Sequence, residues 1–426
     1  MDEGNGIALF SNKISEPMYM TTQMVGKLAH DIITSLKVKT KQDVMKAPTA
    51  NAEAYEYYLK AKYIHEKREN MQDTEIARGF YQKSIELDDN LIAAKVGLGY
   101  TYFLTSDYDR AMEIYSSSLQ QANKLGDKSG IGYSLNGIGN VYGNKGDLDT
   151  ALHYYELSLK IRKEIGDKRG MRGCLGNIGI VYLHKGDLDT ALDYVKRSLA
   201  IDEEIGDKSE IGIGLSYIGG VYLRKGDLDT ALDYVKRSLT IFEDIGDKLG
   251  MGYSLLGIGI IYMDKGDLDT ALDYYGRSLA IFEDIGDKYL MGMSLINIGG
   301  VYFYKVEYEK AEKYLEKSLS IYKEIGIGGG DLLWSTTYLY LTYRHFGKDY
   351  DVKEIHSLIK DAEHIEFELN YAIYQLLEDK SYLETAYTQI QDKADAMEDE
   401  YKSKFLSYPI PKAIVEEWEK VTMVKN

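Results

Sequence analysis

Through the middle of the chain, apolar residues fall at three- and four-residue steps, and the pattern restarts every forty residues. In one unit Leu135, Ile138, Gly139 and Tyr142 mark a face over 129–144, and Leu148, Ala151, Leu152, Tyr155, Leu159 and Ile161 mark a second that ends near Ile165. That spacing predicts two amphipathic helices per unit. Polar punctuation recurs between them: Gly-Asp-Lys at 126–128, 166–168, 206–208, 246–248 and 286–288, and Lys-Gly-Asp-Leu-Asp-Thr-Ala-Leu at 145–152, 185–192, 225–232 and 265–272. Glycine just past a helix supplies a left-handed cap, and the following aspartate can accept from the open N–H groups of the next helix. The pattern therefore predicts helical hairpins with a stop and a start at each turn.

Within the hairpins, Gly99, Gly139, Gly179, Gly219, Gly259 and Gly299 fall one per unit in the first helix, and Ala111, Ala151, Ala191, Ala231, Ala271 and Ala311 lie twelve residues later in the second. A glycine inside a helix costs about 1 kcal/mol relative to alanine. Its fixed recurrence implies close packing, which we expect to be against the alanine methyl, with Tyr102, Tyr142, Tyr182, Tyr222, Tyr262 and Tyr302 giving bulk beside the gap. Composition agrees: 4 prolines permit long helices, and the 41 glycines are largely accounted for by caps and packing positions.

Leu135, Ile138-Gly139, Tyr142, Ala151 and Tyr155 resemble the tetratricopeptide repeat (TPR) pattern, with a period of 40 instead of 34 residues. The stretch NGIGNVYGNKGDLDTALHYYELSLKIRKEIGD is similar to the long repeats of Pins-type polarity adaptors and their bacterial counterparts. The resemblance implies an all-α, right-handed superhelical solenoid of about eight stacked hairpins with end caps. On this reading, 1–50 holds an N-terminal helix (Met20, Met24, Leu28, Ile32, Leu36) and a linker with Pro48. A solenoid follows over 51–330, with a degenerate first unit at 51–89 that keeps Ala77 and Tyr81, and regular units at 90–326. Degenerate helical repeats and a C-terminal cap fill 331–426, with helices at Trp334–Phe346, Val352–Ile365 and Tyr382–Met397 and a closing segment Tyr401–Trp418. The stretch ALFSNKISEPMYMTTQMVGKLAHDIITSLKV is similar to the exit of the small α/β domain that precedes TPR arrays in some bacterial cyclase-like and kinase-like signalling proteins, which would make 1–50 a remnant of an upstream domain.

Charge and motif content narrow the function. With Lys+Arg 51 against Asp+Glu 68, the net charge of −17 opposes nucleic-acid and anionic-membrane binding. No apolar run approaches the roughly 18 residues of a membrane span, and MDEGNGIALF lacks the basic start of a signal peptide, so a cytoplasmic location is expected. Cys174 has no disulfide partner and reads as a small packed residue. The seven histidines lack metal spacing, and neither G-x-G-x-x-G nor a P-loop occurs. Gly170, Gly173, Gly176 and Gly179 suit a helix contact face. Asp187 and Asp189 mimic the start of a calcium loop but lack its central glycine, so they read as first-turn carboxylates. Carboxylate pairs repeat with every unit, whereas a catalytic pair should occur once. The sequence gives no ground for an enzyme, a cofactor or a metal.

Comparing the units with one another shows where recognition could reside. The second helix barely changes (ALDYVKRSL at 191–199 and 231–239), whereas the first varies away from its packing positions. In the TPR family the first helices line a concave groove. Carried over by position, that groove would present Tyr133, Asn136, Asn140 and Asn144, then Asn177 and His184, then Tyr217 and Arg224. Tyr253, Leu256, Met263 and Asp264 would follow, with Met293, Ile296, Asn297 and Tyr304 at the end. Asparagine offers both donor and acceptor to a main chain, and tyrosine gives rigid contact area. The scarcity of Lys and Arg there disfavours an acidic ligand, so an apolar or aromatic peptide segment is the expected partner. The leading expectation is a non-catalytic scaffold or adaptor for a protein or peptide. The alternatives are a regulatory or sensory array of a larger bacterial signalling protein, or a self-assembly module that forms homo-oligomers.

Overall fold

A computed structural model describes residues 49–67, 71–362, 364–397 and 399–423; the expected N-terminal helix and Pro48 lie outside them. Among the described residues there are twenty helices and no strand. The chain divides into two compact units, Met1–Ile165 and Gly166–Asn426. The first holds three hairpins: α1 (Ala52–Glu66) with α2 (Met71–Leu87), α3 (Ile92–Leu104) with α4 (Tyr108–Leu125), and α5 (Lys128–Asn144) with α6 (Leu148–Ile165). The second begins with four more: α7 (Lys168–His184) with α8 (Leu188–Ile205), α9 (Lys208–Arg224) with α10 (Leu228–Ile245), α11 (Lys248–Asp264) with α12 (Leu268–Ile285), and α13 (Lys288–Tyr304) with α14 (Tyr308–Ile325). Its closing block comprises α15 (Gly329–Phe346), α16 (Val352–Asp361), α17 (Phe367–Leu377), α18 (Lys380–Asp395), α19 (Asp399–Ser407) and α20 (Pro409–Met423).

The turns follow the expected chemistry. Gly126, Gly206, Gly246 and Gly286 end second helices at φ between 68° and 78°. Asp127, Asp187, Asp227 and Asp267 each accept a hydrogen bond from the backbone N–H three residues on. Ser106 and Val306 stand where the turns at 146, 186, 226 and 266 have glycine, at φ 57° and 62°, a conformation costly for a β-branched residue such as Val306. Lysines also tie helices together at the surface, as in Lys145–Asp109 at 2.7 Å and Lys225–Asp189 at 2.6 Å.

The helical glycines pack against a different partner from the one expected. A Cβ on Gly139 would lie 2.6 Å from the Tyr155 ring, and on Gly259 it would lie 2.5 Å from Tyr275. At Gly179, Gly219 and Gly299 the obstructing groups are Val195, Val235 and Leu315. Each of these residues sits one helical turn after the alanine. The alanine methyls of Ala151, Ala191, Ala231, Ala271 and Ala311 are fully buried, but the glycine makes room for the larger side chain that follows. The tyrosines of the first helix stack on a second-helix tyrosine twelve residues on: Tyr142 on Tyr154, Tyr182 on Tyr194, Tyr222 on Tyr234 and Tyr262 on Tyr274, with centroids 5.6–5.7 Å apart. A buried serine completes each hairpin: Ser158, Ser198, Ser238, Ser278 and Ser318 donate to the carbonyls of Gly132, Arg172, Gly212, Gly252 and Gly292 at 2.7–3.0 Å.

The closing block differs from the sequence expectation in two places. The segment expected to run as one helix from Val352 stops at Asp361, and α17 follows. The closing segment is two helices, because Pro409 is tolerated at a helix start and not in its interior. The block also returns to the array. Met397 and Phe405 lie against Gly226, Pro409 lies against Gly266, and Lys404 pairs with Asp229 at 2.7 Å.

Candidate functional site

The expected groove residues separate into three groups. In the first unit Tyr133 is 46% exposed, with the Arg162 guanidinium 4.1 Å from its ring centroid. Asn136 and Asn140 are half-buried and Asn144 is exposed. Asn140 accepts a hydrogen bond from the Tyr155 hydroxyl at 2.9 Å, and Asn144 donates to the Asn140 carbonyl at 3.0 Å, so both also serve the fold.

In the second unit Tyr217 and Tyr253 are 44% and 49% exposed, Ile213 is exposed one turn before Tyr217, and His184 and Arg224 are exposed at the ends of α7 and α9. Asn177, Met263, Asp264 and Met293 are half-buried.

Of the remaining residues, Leu256, Ile296 and Tyr304 are covered and Asn297 is half-buried. Leu256 is only 4% exposed and packs with Ala271, Tyr275, Ile298 and Val301, and Ile296 is buried as well. An apolar side chain at this step inserts between neighbouring helices, so these two belong to the core. Tyr304 is covered: its hydroxyl hydrogen-bonds the Tyr338 hydroxyl at 2.7 Å. Asn297 donates to the Met293 carbonyl at 3.0 Å within its own helix.

The closing block explains the covered end. Asp264 and Glu368 sit in an enclosed patch with Lys393, and burial pushes both carboxyls up. For Glu368 the Asp264 charge adds to burial, while Lys393 opposes the shift at both. The half-buried Asp264 is thus engaged from within the protein.

At the other end of the second unit, Asn177 and Tyr217 share the wall of a cavity of about 190 Å³ with Arg172, Gly173, Gly176, Ile180, Val195, Ser198, Asp202, Glu210, Ile213 and Gly214. The glycines expected to form a helix contact face divide here. Gly179 is tightly packed against Val195, whereas Gly173 meets nothing within 4 Å and Gly176 meets only the Ser198 hydroxyl at 3.7 Å. The latter two leave the cavity open. Arg172 Nη2 donates to Glu210 at 2.8 Å, and its Nε lies 3.3 Å from Asp202. Burial raises the Asp202 carboxyl to about 6. Arg172 pulls it back down, while Glu210 and Asp207 push it further up. Sequence reasoning missed Arg172, Asp202 and Glu210; reading residues 132, 172, 212, 252 and 292 in register would have exposed Arg172 as the exception among glycines.

The tetratricopeptide repeat pattern matches residues 90–164, 170–248 and 250–324, more than half of the chain, which the hairpins and packing glycines already foreshadow. The chain belongs to the tetratricopeptide repeat family.

No curated protein matches the chain. Solved TPR structures share its fold. One is a STAND signal-transduction ATPase with a tetratricopeptide repeat sensor from Pyrococcus horikoshii, at 15% identity and TM-score 0.56, covering 80% of this chain and 52% of its own. The chain thus spans about half of that protein. The quorum sensor NprR from B. thuringiensis in its apo form is similar at 16% identity and TM-score 0.55, with 80% and 93% covered. A Rap protein complexed with competence and sporulation factor is similar at 15% identity and TM-score 0.52, with 86% and 99% covered. Among the described residues no helix is long and apolar enough to cross a membrane, and no group of three His, Cys, Asp or Glu is placed to hold a metal ion.

Proposed function

We propose that the chain is a non-catalytic TPR scaffold that binds a peptide or helical segment along the first helices α7, α9 and α11 of its second unit. One observation carries the reading: Ile213, Tyr217 and Tyr253 stand exposed on neighbouring first helices, with Ile213 and Tyr217 in the wall of a cavity. Exposed aromatic groups next to a concave polar wall are the usual composition of a recognition surface. Tyr217 lies near enough to Tyr253 to help hold the Tyr253 hydroxyl's pKa up, after burial and Asp287, so one segment can touch both.

The expected ligand carries apolar or aromatic residues, since three such side chains line its path. Leu256, Ile296 and Tyr304 are not among its contacts. Selection of a random peptide library on the full chain, repeated with Tyr217→Ala and Tyr253→Ala, tests the assignment. Aromatic-containing sequences enriched by the parent protein should be lost with either variant. The same sequences enriched by all three proteins would overturn it.

A further inference from the structure

The forty-residue register gives an internal standard for every position, and one place departs from it in several residues at once. In the hairpin formed by α9 and α10, Phe242 lies between two glycines: a Cβ on Gly212 would come within 2.8 Å of its ring, and one on Gly250 within 2.4 Å. Phe282 and Tyr322 cover Gly252 and Gly292 in the same way. One repeat earlier, the residues at these three steps are Arg172, Asp202 and Glu210. The ring is replaced by a short carboxylate, and its glycine neighbours by a guanidinium and a second carboxylate. Gly173 and Gly176 stand where later first helices carry Ile213 or Tyr253 and Ser216 or Leu256. The cavity is the volume these replacements vacate.

Its chemistry is that of a cation site. Two carboxylates face one guanidinium, which leaves an excess negative charge in a place water reaches poorly. The Asp202 side chain is only 4% exposed. The cation beside it, Arg172, approaches through Nε, and that nitrogen makes no hydrogen bond, while Glu210 and Asp207 add negative charge nearby. Arg172 satisfies Glu210 through one oxygen, and a carboxylate has room for several donors. An anion would meet net repulsion here, and an apolar group would leave Asp202 without a donor. At about 190 Å³ the space is smaller than the roughly 300–1,000 Å³ of whole small-molecule sites, so it suits one long side chain. The protein's net charge of −17 favours the approach of a positive ligand.

We propose that this cavity is a side-chain pocket of the peptide-binding face that receives a lysine or arginine of the bound segment, paired with Asp202 and Glu210. The proposal rests on the function proposed above and adds a basic residue to the apolar or aromatic ligand expected there. Asp202 takes up a proton near pH 6 in the presence of Arg172, Glu210 and Asp207, so the preference for a cation weakens as pH falls through that value.

The test uses two capped tripeptides, Phe-Arg-Phe and its neutral isostere Phe-citrulline-Phe, titrated calorimetrically into the full chain. The arginine peptide should bind at least about tenfold more tightly, the scale of a charge-assisted pair against a neutral one. Asp202→Asn should remove most of that preference while leaving the citrulline peptide unaffected. The triple variant Arg172→Gly, Asp202→Phe, Glu210→Gly rebuilds the glycine–phenylalanine–glycine arrangement the protein already uses at 212, 242 and 250, so it folds. It should show no preference at all. Equal binding of the two peptides, a preference that survives Asp202→Asn, or no saturable binding would overturn the pocket. Tyr253→Ala separates the two readings. If the peptides bind equally and both weaken in this variant, the face stands and the pocket falls; if the charge preference stands and the variant changes nothing, the pocket stands and the aromatic face falls.

Discussion

Residues 172, 202 and 210 and residues 212, 242 and 250 occupy the same three steps of successive repeats, on the same backbone and with the same serine bond beneath them. In the later triplet a phenylalanine ring fills the space between two glycines; in the earlier one an ion pair borders a cavity. The backbone tolerates both because the hairpin is held elsewhere, by the packed glycine–valine contacts at 179 and 195 and at 219 and 235 and by the stacked tyrosines. A repeat array can therefore give up packing at one step without losing the hairpin, and the vacated volume becomes available for recognition. Replacing a buried ion pair by well-packed apolar residues is often neutral or stabilising, so the charged triplet has no evident role in stability.

Four variants bear on this contrast. Phe282→Ala removes a fully buried ring and should cost roughly 3–5 kcal/mol in chemical denaturation, whereas Asp202→Ala, which leaves Arg172 its bond to Glu210, should cost only about 1 kcal/mol. Equal losses would mean that the cavity step is as much a part of the core as its filled counterpart. The triple variant that converts 172, 202 and 210 to glycine, phenylalanine and glycine should gain about 1–3 kcal/mol; a loss would show that the charges hold the hairpin. The smallest effect concerns pH. The folded state raises the Asp202 carboxyl from 3.8 to about 6. Its favourable contribution is therefore complete below the lower value and disappears as pH rises through the upper one. Asp202→Asn should flatten that part of the stability profile and leave the region above about pH 7 parallel to the parent.

The helices and turns could be read in the sequence because their signals are local: an aspartate caps a helix three residues away, and a glycine ends the one before it. The partners of the packing glycines could not. Gly139 meets Tyr155 across a hairpin, and spacing alone could not distinguish the alanine at 151 from the tyrosine one turn later. Position alone places Leu256 and Ile296 in the groove, but an apolar side chain at the step where Asn136 and Gly176 occur turns into the core. Tyr304 was lost to the groove through a contact with Tyr338, whose approach depends on how the last repeats close. Arg172 is legible as the one departure from glycine at the step shared by 132, 212, 252 and 292, a signal that the helical spacing of its own repeat does not carry. Asp202 and Glu210 carry meaning only once the fold brings them to that arginine.

The turn chemistry has a consequence for how the chain can change in length. The residues GDLDTALDY occur at 186–194, 226–234 and 266–274, and each copy starts with a left-handed glycine and a capping aspartate. A genetic exchange between neighbouring copies would add or remove one whole hairpin while restoring an identical junction, with no helix started out of phase. The returning C-terminal helices meet this same nonapeptide in the last two copies, at Gly226 and Asp229 in one and at Gly266 in the other. A shortened or lengthened descendant would therefore still offer them a familiar landing point.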